Sequence, residues 1–117
     1  MKQTIYTMVR TADWAVAKSN GRYDGSADDR ADGFLHFSAA DQLRESARRH
    51  RAGETDLLLV AVDAEALGDA LKWERAPSRG ADFPHLYASL DLSHVISVTP
   101  LPLDPDGLHR FPDIIPD

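Results

Sequence analysis

Hydrophobic residues follow two rhythms along the chain, a period of two and a period near 3.6. Ile5, Thr7 and Val9 alternate with their neighbours in a β-branched run, so residues 4–9 are predicted as a strand. Thr11 is suited to cap a helix over 12–19, with Asp13 in the first turn, Trp14 and Ala17 on one face, and Asn20-Gly21 as its stop. Residues 22–32 are polar and read as a loop. Gly33-Phe34-Leu35-His36-Phe37-Ser38 is a short apolar run holding a histidine. Ser38, with Asp41 three positions on, reads as the cap of a helix reaching about His50, with Ala40, Leu43 and Ala47 on its inner face. His36 is thus expected just before a helix N-terminus, a place that favours anions.

Asp56-Leu57-Leu58-Leu59-Val60-Ala61-Val62-Asp63 has no polar face. Such a strand is buried on both sides and is expected at the centre of the sheet. Asp63 then caps a short helix over 64–69. In Leu71-Lys72-Trp73-Glu74-Arg75 the alternation puts Leu71 and Trp73 inward and Lys72 and Glu74 on the opposite face. Phe83-Pro84-His85-Leu86-Tyr87 carries a proline, which predicts an edge or irregular piece. Val95–Thr99 reads as a last strand. Pro102, Pro105, Pro112 and Pro116 make the tail extended, and Phe111, Ile114 and Ile115 suggest that it wraps onto the body. Helices and strands without a Gly-rich phosphate loop, and a final third of strands, indicate an α+β fold. It is read as a single domain over residues 1–101, with a curved mixed or antiparallel sheet, two main helices and a proline-rich tail over 102–117.

The chain has 117 residues and no cysteine, which excludes disulfides and thiolate chemistry. Its net charge of −6 argues against DNA and RNA as partners. Arg44, Arg48, Arg49 and Arg51 read as a solvated helix face. No apolar run reaches bilayer length and no signal segment is evident, so a cytoplasmic protein away from membranes is expected.

Candidate chemistry centres on His36 and His85, each within an aromatic run and each with a hydroxyl close by, Ser38 and Tyr87. Two readings stand. Each imidazole is a packed core residue bonded to main chain, or the two converge with Trp73 to line a pocket for a flat polar ring. Glu74 is either a surface carboxylate paired with Lys72 or Arg75, or one that enters this pocket. No histidine pair has metal-ligand spacing and no Gly-x-Ser-x-Gly elbow is present, so neither a metal nor serine hydrolase chemistry is expected.

Ile5-Tyr6, Trp14, Ala17, Gly21-x-Tyr23, Gly33–Ser38, Gln42-Leu43, Asp56-Leu57, Val62-Asp63, Trp73-Glu74 and Phe83–Tyr87 together resemble a bacterial family known as domain of unknown function 952. The resemblance spans residues 4–101. Thr7 stands where that family often has histidine, and Ala88 where it often has glycine. The family is grouped with the ADP-ribosyltransferase-like fold, which includes RNA 2′-phosphotransferases. The resemblance implies an enzyme with NAD or a related small nucleotide as its substrate. It implies His36 and Ser38 at the nucleotide cleft, Tyr87 or Tyr23 stacked near a base, and Glu74 orienting a ribose. His36, Glu74 and His85 are the expected catalytic groups; Ser38, Tyr87, Trp73 and Tyr23 are the expected binding groups. A non-catalytic nucleotide- or metabolite-binding module is the alternative, and a protein-interaction domain using the acidic surface and the tail is another.

Overall fold

The computed structural model describes residues 3–116. Three antiparallel sheets and three α-helices make up an α+β fold. The largest sheet has the order β4-β1-β5-β9, formed by β1 (Thr4–Arg10), β4 (Ser38–Ala39), β5 (Leu57–Asp63) and β9 (Val95–Leu101). β5 pairs with β1 along its whole length and with β9 on the other side, so it is internal, as its unbroken apolar run predicts. Its two faces serve two cores. Val60 and Val62 pack with Ile5, Val9, Trp14 and Leu86; Leu57, Leu59 and Ala61 pack with Tyr6, Leu43, Ala47 and Ile115. Each such fully buried aliphatic side chain contributes about 1.5–3 kcal/mol.

A second sheet has the order β3-β7-β6: β3 (Leu35–His36), β7 (Ala81–Leu86) and β6 (Leu71–Ala76). The sequence reading put β7 at an edge because of Pro84, but β7 is the central strand. Phe37 N–H donates to Pro84 O at 3.0 Å, one residue beyond the last β3 pair, His36 with His85. The carbonyl and nitrogen of one strand residue face the same neighbour. The N–H that proline lacks therefore falls at the ragged end of a two-residue strand, where it costs no internal rung. Trp73 is a further correction: it shares the inward parity of Leu71 but lies past the core and is 41% exposed.

Residues 22–32 are ordered rather than loop. β2 (Arg22–Tyr23) pairs with β8 (Leu90–Asp91), and α2 (Ala27–Asp32) follows. Ser26 Oγ accepts the Asp29 N–H, and Asp29 Oδ2 accepts the Ser26 N–H, a reciprocal capping box. α1 (Thr11–Asn20) ends on Gly21 in the left-handed region, as the Asn-Gly pair predicts. Thr11 does not cap it. Instead Thr11 donates its N–H and its hydroxyl to Asp56 O, at 2.8 and 2.9 Å. Ser38 caps no helix either, being a buried strand residue. A 3₁₀ turn over Ala40–Gln42 leads into α3 (Leu43–His50), and Gln42 Oε1, not Asp41, answers back to the Ala39 N–H.

Beyond β9, Phe111 and Ile115 are buried in the second core, while Ile114 is 78% exposed. Arg44 holds the tail by donating to the carbonyls of Ile115 and Pro116 and lying over the Phe111 ring. Among the described residues no helix is long and apolar enough to cross a membrane.

A candidate active-site cleft with two imidazole–carboxylate pairs

The β3-β7-β6 sheet has two unlike faces, as period-two alternation requires. Leu35, Leu86 and Leu71 turn into the first core. His36 and His85, partners across β3 and β7, turn to the other side, where a cleft of about 540 Å³ opens. β1 contributes Thr7 to its wall, α2 contributes Asp29 and Asp32, and α3 contributes Ser46 and His50. The β6–β7 turn contributes Arg79.

The two rings sit 5.6 Å apart, edge to face. Phe34 stacks on His85 at 4.0 Å and also touches His36 and Tyr87, at 4.6 and 5.2 Å. The two aromatic runs therefore do meet in space. What holds each ring differs. His36 Nδ1 lies 2.6 Å from Asp29 Oδ1 and its Nε2 lies 2.9 Å from Asp32 Oδ2. Its backbone N–H also donates to Asp29 Oδ1. With a carboxylate on each ring nitrogen both must be donors, which is the imidazolium form. The Asp29 hydrogen bond raises the His36 pKa above the ordinary histidine value, with burial opposing it. Burial would raise the Asp29 carboxyl, but the bonds from His36 and Ser26 hold it below the usual carboxylate range. Gly25 makes room for this carboxylate: its φ is +98°, and a Cβ there would fall 2.8 Å from Asp29 Cβ.

His85 has one carboxylate. Its Nδ1 lies 2.8 Å from Glu74 Oε1, which also accepts the Tyr87 hydroxyl at 2.6 Å. The Tyr87 and then the His85 hydrogen bond hold the Glu74 carboxyl below its ordinary value, and Glu74 in turn raises the Tyr87 phenol. Nδ1 must donate to a carboxylate, so in the neutral ring the lone pair lies on Nε2. No partner meets Nε2 among the described residues.

Of the expected site residues, His36, His85 and Ser38 line the cleft. Glu74 and Tyr87 stand behind His85 rather than in the cleft. Trp73 is on the surface, clear of the cleft. Tyr23 is buried against Trp14, at 6.2 Å between rings, and lines not the cleft but an adjoining hollow of about 150 Å³ that shares Arg10, Ser26, Asp28 and Arg51 with it. Burial raises its phenol pKa well above the usual range. Thr7 donates its hydroxyl to His36 O at 2.9 Å and so anchors β3 to β1. Among the described residues no group of three or more metal-binding side chains is placed to hold an ion.

The sequence reading missed Asp29, Asp32, Ser46 and Arg79. A signal existed for the first two: Ser26-x-x-Asp29 is a capping-box spacing, and Asp32 precedes His36 by four residues. Nothing local marks Ser46 or Arg79, which reach the cleft from α3 and a turn.

A family model described as protein of unknown function (DUF952) matches residues 8–98, most of the chain. The chain belongs to the DUF952 family. Within reach of that family is protein CC0527 from Caulobacter crescentus. Its crystal structure is 47% identical to this chain, covers 92% of it and 93% of the other chain, and superposes with a TM-score of 0.87. The solution NMR structure of CC0527 gives 48% identity, 90% coverage of both chains and a TM-score of 0.80. No curated protein matches the chain. For this DUF952 chain the matched segment carries both histidines, Asp29, Glu74 and Arg79, and of the cleft lining only Tyr6 and Thr7 precede it.

Proposed function

We propose that this DUF952 chain is an enzyme that binds NAD or a related nucleotide in the cleft, with His85 as its acid–base group. With this goes a likeness to the ADP-ribosyltransferase fold. The observation that carries the proposal is the His85–Glu74 pair. A carboxylate on Nδ1 leaves Nε2 as the basic atom, on a ring that lines a cleft large enough for a small molecule. Cleavage at the nicotinamide–ribose bond develops positive charge on the ribose, and Asp28 and Asp32 in the cleft wall offer carboxylates to stabilise it. His85 Nε2 would take the proton from the attacking water or acceptor hydroxyl. Glu74 holds the ring and its tautomer instead of touching the ribose, and His36 is a fixed cation beside it rather than a free donor.

Nicotinamide release from NAD tests this, measured with wild type, His85→Ala and Glu74→Gln. Loss of release in His85→Ala, with a smaller loss in Glu74→Gln, supports the roles. Equal release by all three rejects them. A second function, a non-catalytic nucleotide-binding module, is favoured by one fact: both ring nitrogens of His36 are already occupied. It predicts a rise in melting temperature with NAD or ADP-ribose and no release of nicotinamide.

A further inference from the structure

One end of the cleft differs from the imidazole end. Ser38 and Ser46 are both buried there, and the Ser38 hydroxyl donates to Ser46 Oγ at 3.0 Å. Arg79 Nη1 donates to the same oxygen at 3.2 Å. The two hydroxyls share a single mutual bond, so one of their two protons has no acceptor among the described residues. Arg79 is held hard in place. Its side chain is only 9% exposed, its Nε lies 3.1 Å from Glu45 Oε2, and its guanidinium lies 4.5 Å over the Phe83 ring.

Glu45 does not neutralise this end. The same Oε2 also serves Arg49, at 3.4 Å. The neighbouring Glu54 is likewise shared, by Arg10 at 2.7 Å and Arg51 at 3.3 Å. Around Arg79 each carboxylate is thus shared by two guanidinium groups, while Asp28, Asp29 and Asp32 line the same cleft nearer His36. His50 lies on the same wall, and burial first, then Arg79, Arg49 and Arg51, push its pKa down.

We infer that Arg79, Ser46 and Ser38 form a phosphoryl-binding subsite in the cleft. A guanidinium fixed on the cleft wall, with two buried hydroxyls beside it that share one mutual bond, fits a tetrahedral oxyanion. The inference deepens the nucleotide proposal by naming the group that the basic end grips. It rests on that proposal only for what carries the phosphate.

The experiment titrates the full chain with inorganic phosphate, AMP and adenosine, following the Arg79 Nε–Hε resonance and the melting temperature. Phosphate and AMP are expected to shift both in wild type, and adenosine to leave the Arg79 resonance in place. Arg79→Lys keeps the charge but loses the fork, and Ser46→Ala removes the hydroxyl that Arg79 holds. Each is expected to weaken phosphate binding about tenfold, the equivalent of one charge-assisted hydrogen bond. Arg75→Lys, at an exposed arginine outside the cleft, is expected to change nothing. Unchanged phosphate affinity in Arg79→Lys and Ser46→Ala, or an equal loss in Arg75→Lys, overturns the subsite. Phosphate binding at Arg79 without nicotinamide release keeps the subsite and sinks the enzyme proposal alone.

Discussion

His36 and His85 face each other across one β rung, yet α2 and β6 treat them in opposite ways. α2 supplies two carboxylates to His36, one on each nitrogen, so that ring is a charged fastener between a helix and a strand. β6 supplies one carboxylate to His85 and leaves the far nitrogen open. The same residue type, on the same sheet face, 5.6 Å away, is bonded at both ring nitrogens in one case and keeps an open nitrogen in the other. The difference lies in how many acceptors reach the ring. A second acceptor removes the lone pair that a base requires.

The contrast breaks most sharply at Asp29. Asp29→Ala leaves the partly buried Ser26 and His36 N–H groups and the His36 ring without partners, so it is expected to cost about 3 kcal/mol, measured by urea denaturation. Glu74→Ala should move the denaturation midpoint far less, because Glu74 is bonded only to side chains at the rim. A midpoint shift as large as that of Asp29→Ala would erase the distinction. Gly25→Ala attacks the same fastener through the backbone. The positive φ and the close approach to Asp29 predict a loss of about 2 kcal/mol by the same measurement.

Acidity sharpens the contrast without mutation. The folded pKa of His36 is raised, so its contribution is complete below about pH 6.5 and is lost as pH climbs through the folded value. The folded pKa of Asp29 is depressed, so its contribution is present above about pH 4 and is lost as pH falls through the folded value. The fastener is therefore strongest between roughly pH 4 and 6.5. Stability profiles against pH should show a decline above that window, and His36→Gln should flatten it. A wild-type profile already flat there would contradict an imidazolium at His36.

Thr7→Val removes the hydroxyl bond to the His36 carbonyl and is expected to cost about 1 kcal/mol, with the wiring of both rings preserved. The smallest effect is that of Tyr87→Phe. The Glu74 carboxyl should then titrate at higher pH, toward its ordinary value, in a carbon-detected NMR titration, with the fold undisturbed. An unmoved Glu74 would separate Tyr87 from the His85 pair.

The elements that follow one rhythm were legible in the sequence. β1 and β5 could be read because every residue in them obeys the alternation or burial that their place requires, and α1 because Trp14 and Ala17 precede an Asn-Gly stop. The exceptions have local causes. Pro84 misled because the shortness of β3, not the proline, decides whether an N–H is missed. Ser38 misled because its hydroxyl finds Ser46, eight residues away, before any helix amide. Residues 22–32 read as loop on polar composition, yet Ser26 and Asp29 hold the cap spacing that starts α2.

By itself the amino-acid sequence determined which side chains have the chemistry: two imidazoles amid aromatic rings, a carboxylate on the alternating strand, and a strand apolar on both faces. Only tertiary structure decided their states. Which nitrogens of a histidine are bonded is set by acceptors within about 3 Å, and here those acceptors arrive from α2 for His36 and from β6 for His85. Arg79 and Ser46 lie 33 positions apart in the chain and meet only because a turn of one sheet closes over α3.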